Sequence, residues 1–279
     1  MVGERCSKMI FYTDNKFDNL KSNPFNNNLP YNNKWIMLKL IESAEYASFT
    51  GGGKDGLFHM VITKENPDWH YRIYDFIQYE ESHGNNIIIA VNQDDLDCAK
   101  LIYNRHSFND NFLRPYEPNI LLHCTSKECY QSIMSDSCLK SWNTLKLENK
   151  LLYENPIGEL LGDPIDYRDY IMFTHSGKSA ERVVSSRQKG YIDMDFDSPY
   201  VAGARFYFDA DLIAKDGLLI RDGVHLKVKD ALPIEKYLLW IATPEALRIS
   251  ENTTPRIFAE KADEMFSKKF NIELQVDIR

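Results

Sequence analysis

The sequence predicts an α+β protein in which a small α/β unit precedes a sheet-rich C-terminal domain. Three observations predict it. Between residues 35 and 103, apolar residues at helical spacing alternate with short β-branched runs. At residues 114–118 (RPYEP) two prolines hold the backbone extended and mark a boundary. Beyond that boundary, short strand-forming runs separated by tight turns predominate up to one last long helix. The organisation read from this is a flexible Asn-rich arm over residues 1–33, a small α/β domain over 34–113, and a second domain over 119–279.

The arm (NPFNNNLPYNNK) is too polar to bury much surface. Residues 35–49 (WIMLKLIESAEYASF) carry apolar residues at helical spacing and are expected to be a helix. GGGKDG follows, and then GLFHMVI as a strand. Residues 68–81 predict a helix capped by Asp68, NNIIIAV a buried strand, and residues 94–103 a helix with acids in its first turn. After the boundary come the strand ILLHCT, the helix SKECYQSIMSD and the turn and strand CLKSWNTLK. Residues 148–166 read as an insertion of helical and loop character. The strands DYIMF, YIDMD, ARFYFD and GVHLKVK follow, with SSRQKG as a turn and ADLIAKDG as a helical turn. Thr254 and Pro255 open the last helix, and NIELQVDI alternates as a closing strand.

At 279 residues the chain is long enough for one large or two small cores. Its net charge of −8 argues against a broad basic face for duplex DNA, while leaving room for a small pocket that holds one anionic group. No run approaches the length of a membrane span. Five cysteines without a leader-like N-terminus read as reduced thiols in a cytoplasmic setting. They lack a CxxC pair, so no metal is expected.

Four constellations bear on chemistry. Gly51 to Gly56 offers successive N–H groups and Lys54 for a phosphate, but without P-loop spacing it reads first as a loose connection. His123 ends an apolar strand. A lone histidine there is commonly a satisfied strand-end residue, but the helix starting at Ser126 puts the His123-Cys124-Thr125 triplet at a sheet edge, where ligands dock. Arg168 and Arg187 each offer a bidentate fork for phosphate, or a partner for nearby acids such as Asp166 and Asp169. Glu235 is the one acid near the last strands that reads as a candidate catalytic carboxylate, and no role is assigned to it.

These residues resemble the RNA 2′-phosphotransferase family, a branch of the ADP-ribosyltransferase fold. Leu121-Leu122-His123-Cys124-Thr125 is similar to the family's leucine-tyrosine-histidine-glycine-threonine strand, and Cys138-Leu139 to its glycine-leucine turn. Arg168 stands two positions before a strand, as the family's arginine does, and Arg187 matches the arginine of its next turn. Asp216-Gly217, Gly223-Val224-His225-Leu226 and Pro233 follow in the family's order. The chain departs from the family where Tyr170 and Met172 replace two histidines, where Cys124 replaces a glycine, and in lacking the family's N-terminal arginine-histidine lobe. The resemblance spans less than half of the chain.

The resemblance implies a split β-sheet domain that uses NAD as co-substrate. His123, Cys124 and Thr125 would contact NAD, with Tyr170 packed on the nicotinamide ring. Arg168 and Arg187 would be the catalytic forks, binding the pyrophosphate and an anionic acceptor. It implies an RNA 2′-phosphate as that acceptor, in a tRNA-processing setting. Tyr170 leaves open an ADP-ribosyltransferase acting on another nucleic acid or a protein. The replaced histidines leave open a noncatalytic module that binds a nucleotide or a partner.

Overall fold

The computed structural model describes residues 10–13, 31, 35–44, 48–52, 57–105, 109–174, 177–272 and 274. The fold is mixed α and β, and it divides into two compact units. Unit 1 comprises Met1–Phe108 with two later segments, Leu161–Tyr167 and Arg221–His225; unit 2 holds the remainder.

Unit 1 is built on a sheet of five strands: β1 (Ile10–Thr13), β2 (Trp35–Ile41), β3 (Ser48–Gly52), β4 (Phe58–Thr63) and β5 (Asn86–Ala90), in the order β1-β5-β2-β4-β3. The first four run parallel to their neighbours, and β3 pairs antiparallel with β4. Helix α1 (Trp69–Ser82) joins β4 to β5, and α2 (Gln93–Arg105) follows β5. Residues 35–41, expected to be helical, are instead the central strand β2. Trp35, Met37, Ile88 and Ala90 pack into one cluster, while Ile36, Leu38, Ile87 and Ile89 are buried in alternation with them. A parallel strand covered on both faces is a continuous apolar run, and periodicity alone does not separate it from a buried helix. Ile10–Thr13, within the stretch read as a flexible arm, is strand β1, and Asp68 accepts from Arg72 Nε at 2.9 Å rather than capping α1.

The two later segments are tied into unit 1 by specific contacts. Tyr79 donates to Asp166 at 2.6 Å, and Tyr167 to the fully buried Asp222 at 2.9 Å. Gly223, at φ +94, lies so close to α1 that a Cβ there would sit 2.5 Å from the Arg72 carbonyl oxygen. Neither pairing is encoded locally.

Unit 2 opens with β6 (Ile120–Thr125), α3 (Lys127–Asp136), β7 (Cys138–Lys140) and α4 (Trp142–Leu147). Then come, in chain order, α5 (Gly158–Leu161), a 3₁₀ turn (Ile165–Asp169) whose residues up to Tyr167 belong to unit 1, β8 (Tyr170–Phe173), α6 (Ser179–Lys189), β9 (Tyr200–Val201), β10 (Ala204–Asp209) and α7 (Ala210–Lys215). The chain continues through β11 (Leu219–Arg221), β12 (Leu226–Lys229), β13 (Ala231–Pro233), α8 (Ile234–Tyr237), β14 (Leu238–Ala242), α9 (Pro244–Leu247), β15 (Asn252–Thr253) and α10 (Pro255–Phe270). Two three-stranded sheets result, β14-β10-β6 and β11-β12-β8, with the smaller pairs β13-β7 and β15-β9 beside them. One bridge links the larger sheets: Leu122 N–H donates to Thr174 O at 2.7 Å, and Thr174 N–H to Leu122 O at 3.0 Å.

Strand alternation sorts the core. Leu121, Ala204, Phe206 and Phe208 face one cluster with Ile171 and Phe173. Ile120, Leu122 and Tyr207 face the other, where α10 supplies Phe258, Ala262 and Phe266. The Thr254 side chain accepts from Ile257 N, so this helix starts where its Thr-Pro pair predicts. Two expectations fail here. SSRQKG is not a turn but the end of α6, closed by Gly190 at φ +73. Residues 191–195 form no strand, because the Asp193 and Asp195 side chains accept from the backbone N–H groups of Asp195 and Asp197. Of the expected closing strand, Asn271, Ile272 and Leu274 are not in a strand, Asn271 closing α10 in the left-handed region, and the rest lies outside the described residues, as do Gly53 to Gly56 of the glycine-rich stretch.

Candidate functional site

The candidate site lies in unit 2 at the end of β6. On this strand His123 and Thr125 share a face with Leu121, and Cys124 points the other way. His123 Nδ1 lies 3.2 Å from the Met172 carbonyl oxygen. A carbonyl only accepts, so Nδ1 carries the proton and Nε2 presents a lone pair. Among the described residues, neither Nε2 nor the Thr125 hydroxyl has a hydrogen-bond partner. Burial lowers the His123 pKa, with the Met172 hydrogen bond opposing, and the ring is neutral near pH 7.

This shift has a thermodynamic consequence. A histidine whose folded pKa is depressed stabilises the fold above its unfolded pKa, and that contribution is lost as pH falls through the folded value. The unfolding midpoint of His123→Asn is expected to fall less than that of the wild type between about pH 7 and about pH 5. Parallel denaturation curves at the two pH values check this.

Immediately after β6, Ser126 accepts from Cys129 N–H at 3.3 Å and caps α3. The same Oγ receives the Tyr153 hydroxyl at 3.2 Å. The Arg187 guanidinium lies 4.5 Å from the centroid of the Tyr153 ring, and its Nη1 donates to Asn155 O at 3.3 Å. Arg187, on α6, is thereby brought to the end of β6. Burial lowers its pKa, yet a guanidinium stays cationic.

The other expected site residues are placed differently. Arg168 pairs with Glu159 at 2.6 Å, not with Asp166 or Asp169 beside it. Those acids bind Tyr79 and Asn143. Tyr170 is buried, with the Lys227 ammonium 4.9 Å over its ring. The aromatic ring against His123 is that of Phe173, edge-on at 6.1 Å. Glu235 is exposed on α8.

Cys124 belongs to a buried ionic network on the far face of the sheet. Its thiol donates to Glu181 Oε1 at 2.8 Å, and Tyr200 donates to Glu181 Oε2 at 2.9 Å. Arg205, fully buried, donates from Nε and Nη2 to Asp263 at 3.0 and 2.9 Å, from Nη1 to Glu181 at 3.3 Å, and from Nη2 to Gly177 O at 3.1 Å. Burial opposes the Arg205 charge, but the surrounding Cys124, Asp263, Tyr207 and Glu181 outweigh it and its pKa rises. Burial also holds the Cys124 thiol well above its usual range, so it remains a donor.

Sequence reasoning missed Tyr153, Phe173 and Gly203. A Cβ at Gly203 would lie 2.2 Å from Thr125 O and 2.4 Å from the Ser126 carbonyl carbon, so this glycine lets the β6–α3 turn rest on the backbone before β10. The lone glycine in VAGARF was the only available signal.

No protein-family model matches the chain, and comparison with curated proteins and with solved structures found no match. Among the described residues no helix is long and apolar enough to cross a membrane, and no group of three His, Cys, Asp or Glu side chains is placed to hold a metal ion.

Proposed function

We propose that the chain is an NAD-dependent transferase of the ADP-ribosyltransferase fold, with an RNA 2′-phosphate as acceptor. The observation that carries this is the end of β6: a neutral histidine with its Nε2 lone pair presented, a threonine hydroxyl on the same face, and, at the next residue, Ser126 linked through Tyr153 to Arg187. Two three-stranded sheets meeting at the Leu122–Thr174 bridge support the split-sheet part. His123 Nε2 and Thr125 fit a ribose hydroxyl and a carboxamide. Tyr170, with Lys227 over its ring, does not fit the stacking role the family resemblance gives it.

NAD supplies a ribose C1″ whose bond to nicotinamide breaks as a phosphate oxygen of the acceptor bonds to that carbon. The bonding electron pair leaves with nicotinamide, which departs neutral. In a second step a hydroxyl of the transferred ribose bonds to the phosphorus as the bond from phosphorus to the RNA 2′-oxygen breaks; that oxygen takes up the proton the attacking hydroxyl gives up, and the phosphate stays on the ADP-ribose. Within this reaction His123 and Thr125 orient the ribose end, and Arg187 holds phosphate oxygens. Rate enhancement comes from positioning and fixed charge, so no general base is required. Arg168 joins only by exchanging Glu159 for phosphate; the pair is partly exposed, and such pairs are worth about 0–1 kcal/mol.

A second reading, transfer of ADP-ribose to a different acceptor, is favoured by that same pair, because of the two expected forks only Arg187 stands without a carboxylate among the described residues. Mass spectrometry of the RNA after reaction separates them: loss of phosphate supports the first reading, and a stable gain of ADP-ribose the second. Under either, Arg187→Ala is expected to lower turnover about 100-fold, the scale for removing one fixed electrostatic contact. Unchanged turnover would place the site elsewhere.

A further inference from the structure

We infer that Tyr153 is a positioning residue for Arg187, and that the pair forms a cradle for a diphosphate. The ligand's identity as the diphosphate of NAD rests on the function proposed above; the cradle itself does not.

Arg187 lies in the last turn of α6, where a long side chain ordinarily samples many rotamers. Two contacts restrict it. Its guanidinium stacks on Tyr153 at 4.5 Å, and Nη1 donates to Asn155 O at 3.3 Å. Tyr153 is itself held by Ser126, whose Oγ accepts from both the phenol and the N–H of Cys129. The chain Ser126–Tyr153–Arg187 therefore fixes the guanidinium plane against the end of the strand that carries His123 and Thr125.

Arg187 carries no counter-ion, a property it shares with Arg182 and Arg248 among the described residues; what sets it apart is its tie through Tyr153 to Ser126 at the end of β6. Arg72, Arg168, Arg205 and Arg256 each pair with a carboxylate. Among the described residues Arg187 pairs with none, although it is partly desolvated. One of its five N–H donors is used by Asn155. The others fit a bidentate oxyanion, and the tyrosine face keeps the fork oriented when no anion is present. The segment read from the sequence as an insertion thus supplies both the stacking ring and the carbonyl.

Calorimetric titration of the full chain with inorganic pyrophosphate tests this, using the wild type, Tyr153→Phe, Tyr153→Leu and Arg187→Lys. Tyr153→Leu and Arg187→Lys are each expected to weaken binding about ten-fold, and Tyr153→Phe, which keeps the ring, by less than about three-fold. Nicotinamide release should show the same order, with KM raised and kcat largely retained; a purely structural defect would lower kcat alongside the melting temperature. Wild-type affinity in Tyr153→Leu, or no pyrophosphate binding by the wild type, overturns the cradle. The expected pyrophosphate series in a protein that consumes no NAD supports the cradle and removes the transferase reading.

Discussion

Replacing Arg205 with methionine is expected to lower the stability of unit 2 by about 3–5 kcal/mol, the range for breaking a buried ion pair from one side. Methionine approximates the volume of the arginine stem but removes the cation from the Glu181 and Asp263 carboxylates, the Tyr207 hydroxyl and the Gly177 carbonyl, leaving Glu181 the Cys124 and Tyr200 donors and Asp263 the Tyr207 hydroxyl. Glu181 is fully buried, and burial already pushes its pKa up against the pull of Arg205. Without the guanidinium it must take up a proton. Small domains are stable by about 5–15 kcal/mol, so the loss is a large fraction of the total. Arg205→Lys keeps the charge but not the fork on Asp263, and is expected to fall between the wild type and Arg205→Met. Chemical denaturation of the three proteins measures this, and a wild-type midpoint for Arg205→Met would show that the network contributes little. Asp263→Asn combined with Arg205→Met should destabilise by less than the sum of the single changes, because the partners are coupled.

Gly203→Ala is expected to be nearly as damaging despite adding a single methyl group. The new carbon would meet Thr125 O at 2.2 Å, the Ser126 carbonyl carbon at 2.4 Å and Lys127 N at 2.6 Å. All three are backbone atoms, so no side-chain rotation relieves the overlap. Overpacking commonly costs about 1–3 kcal/mol, and this site should lie at or above the upper end. The displaced turn carries Thr125 and Ser126, so Tyr153 and Arg187 shift with it and KM for NAD should rise. Gly51→Ala is the control: a Cβ there meets nothing within 4 Å, and stability should move by less than about 1 kcal/mol. Equal melting temperatures for Gly203→Ala and the wild type would contradict the close approach.

What was legible in the sequence follows the range of the interactions. The strand ILLHCT, the helix after Ser126 and the helix at Thr254-Pro255 are set by neighbouring residues: an apolar run, a capping side chain and a proline at the first helical position. Alternation along β6 also puts His123 and Thr125 on one face without any tertiary information. Residues 35–41 were misread because burial on both faces of β2 produces the same apolar run as a helix packed in a core. SSRQKG was misread because a left-handed glycine closes helices as readily as turns, and Gly190 does the former. The partners of the site residues were not legible. Cys124 meets Arg205 through the β6–β10 register, Arg168 meets Glu159, and Arg187 meets Tyr153 from a segment with no distinguishing motif.

The measurement that bears most directly on the central claim is nicotinamide release from NAD by the full chain, with and without a short RNA bearing an internal 2′-phosphate. The end of β6, with His123 and Thr125 on one face and Arg187 linked to it through Tyr153 and Ser126, predicts release that depends on the RNA, removes its phosphate, and falls away in Arg187→Ala. Absence of release under both conditions would contradict it.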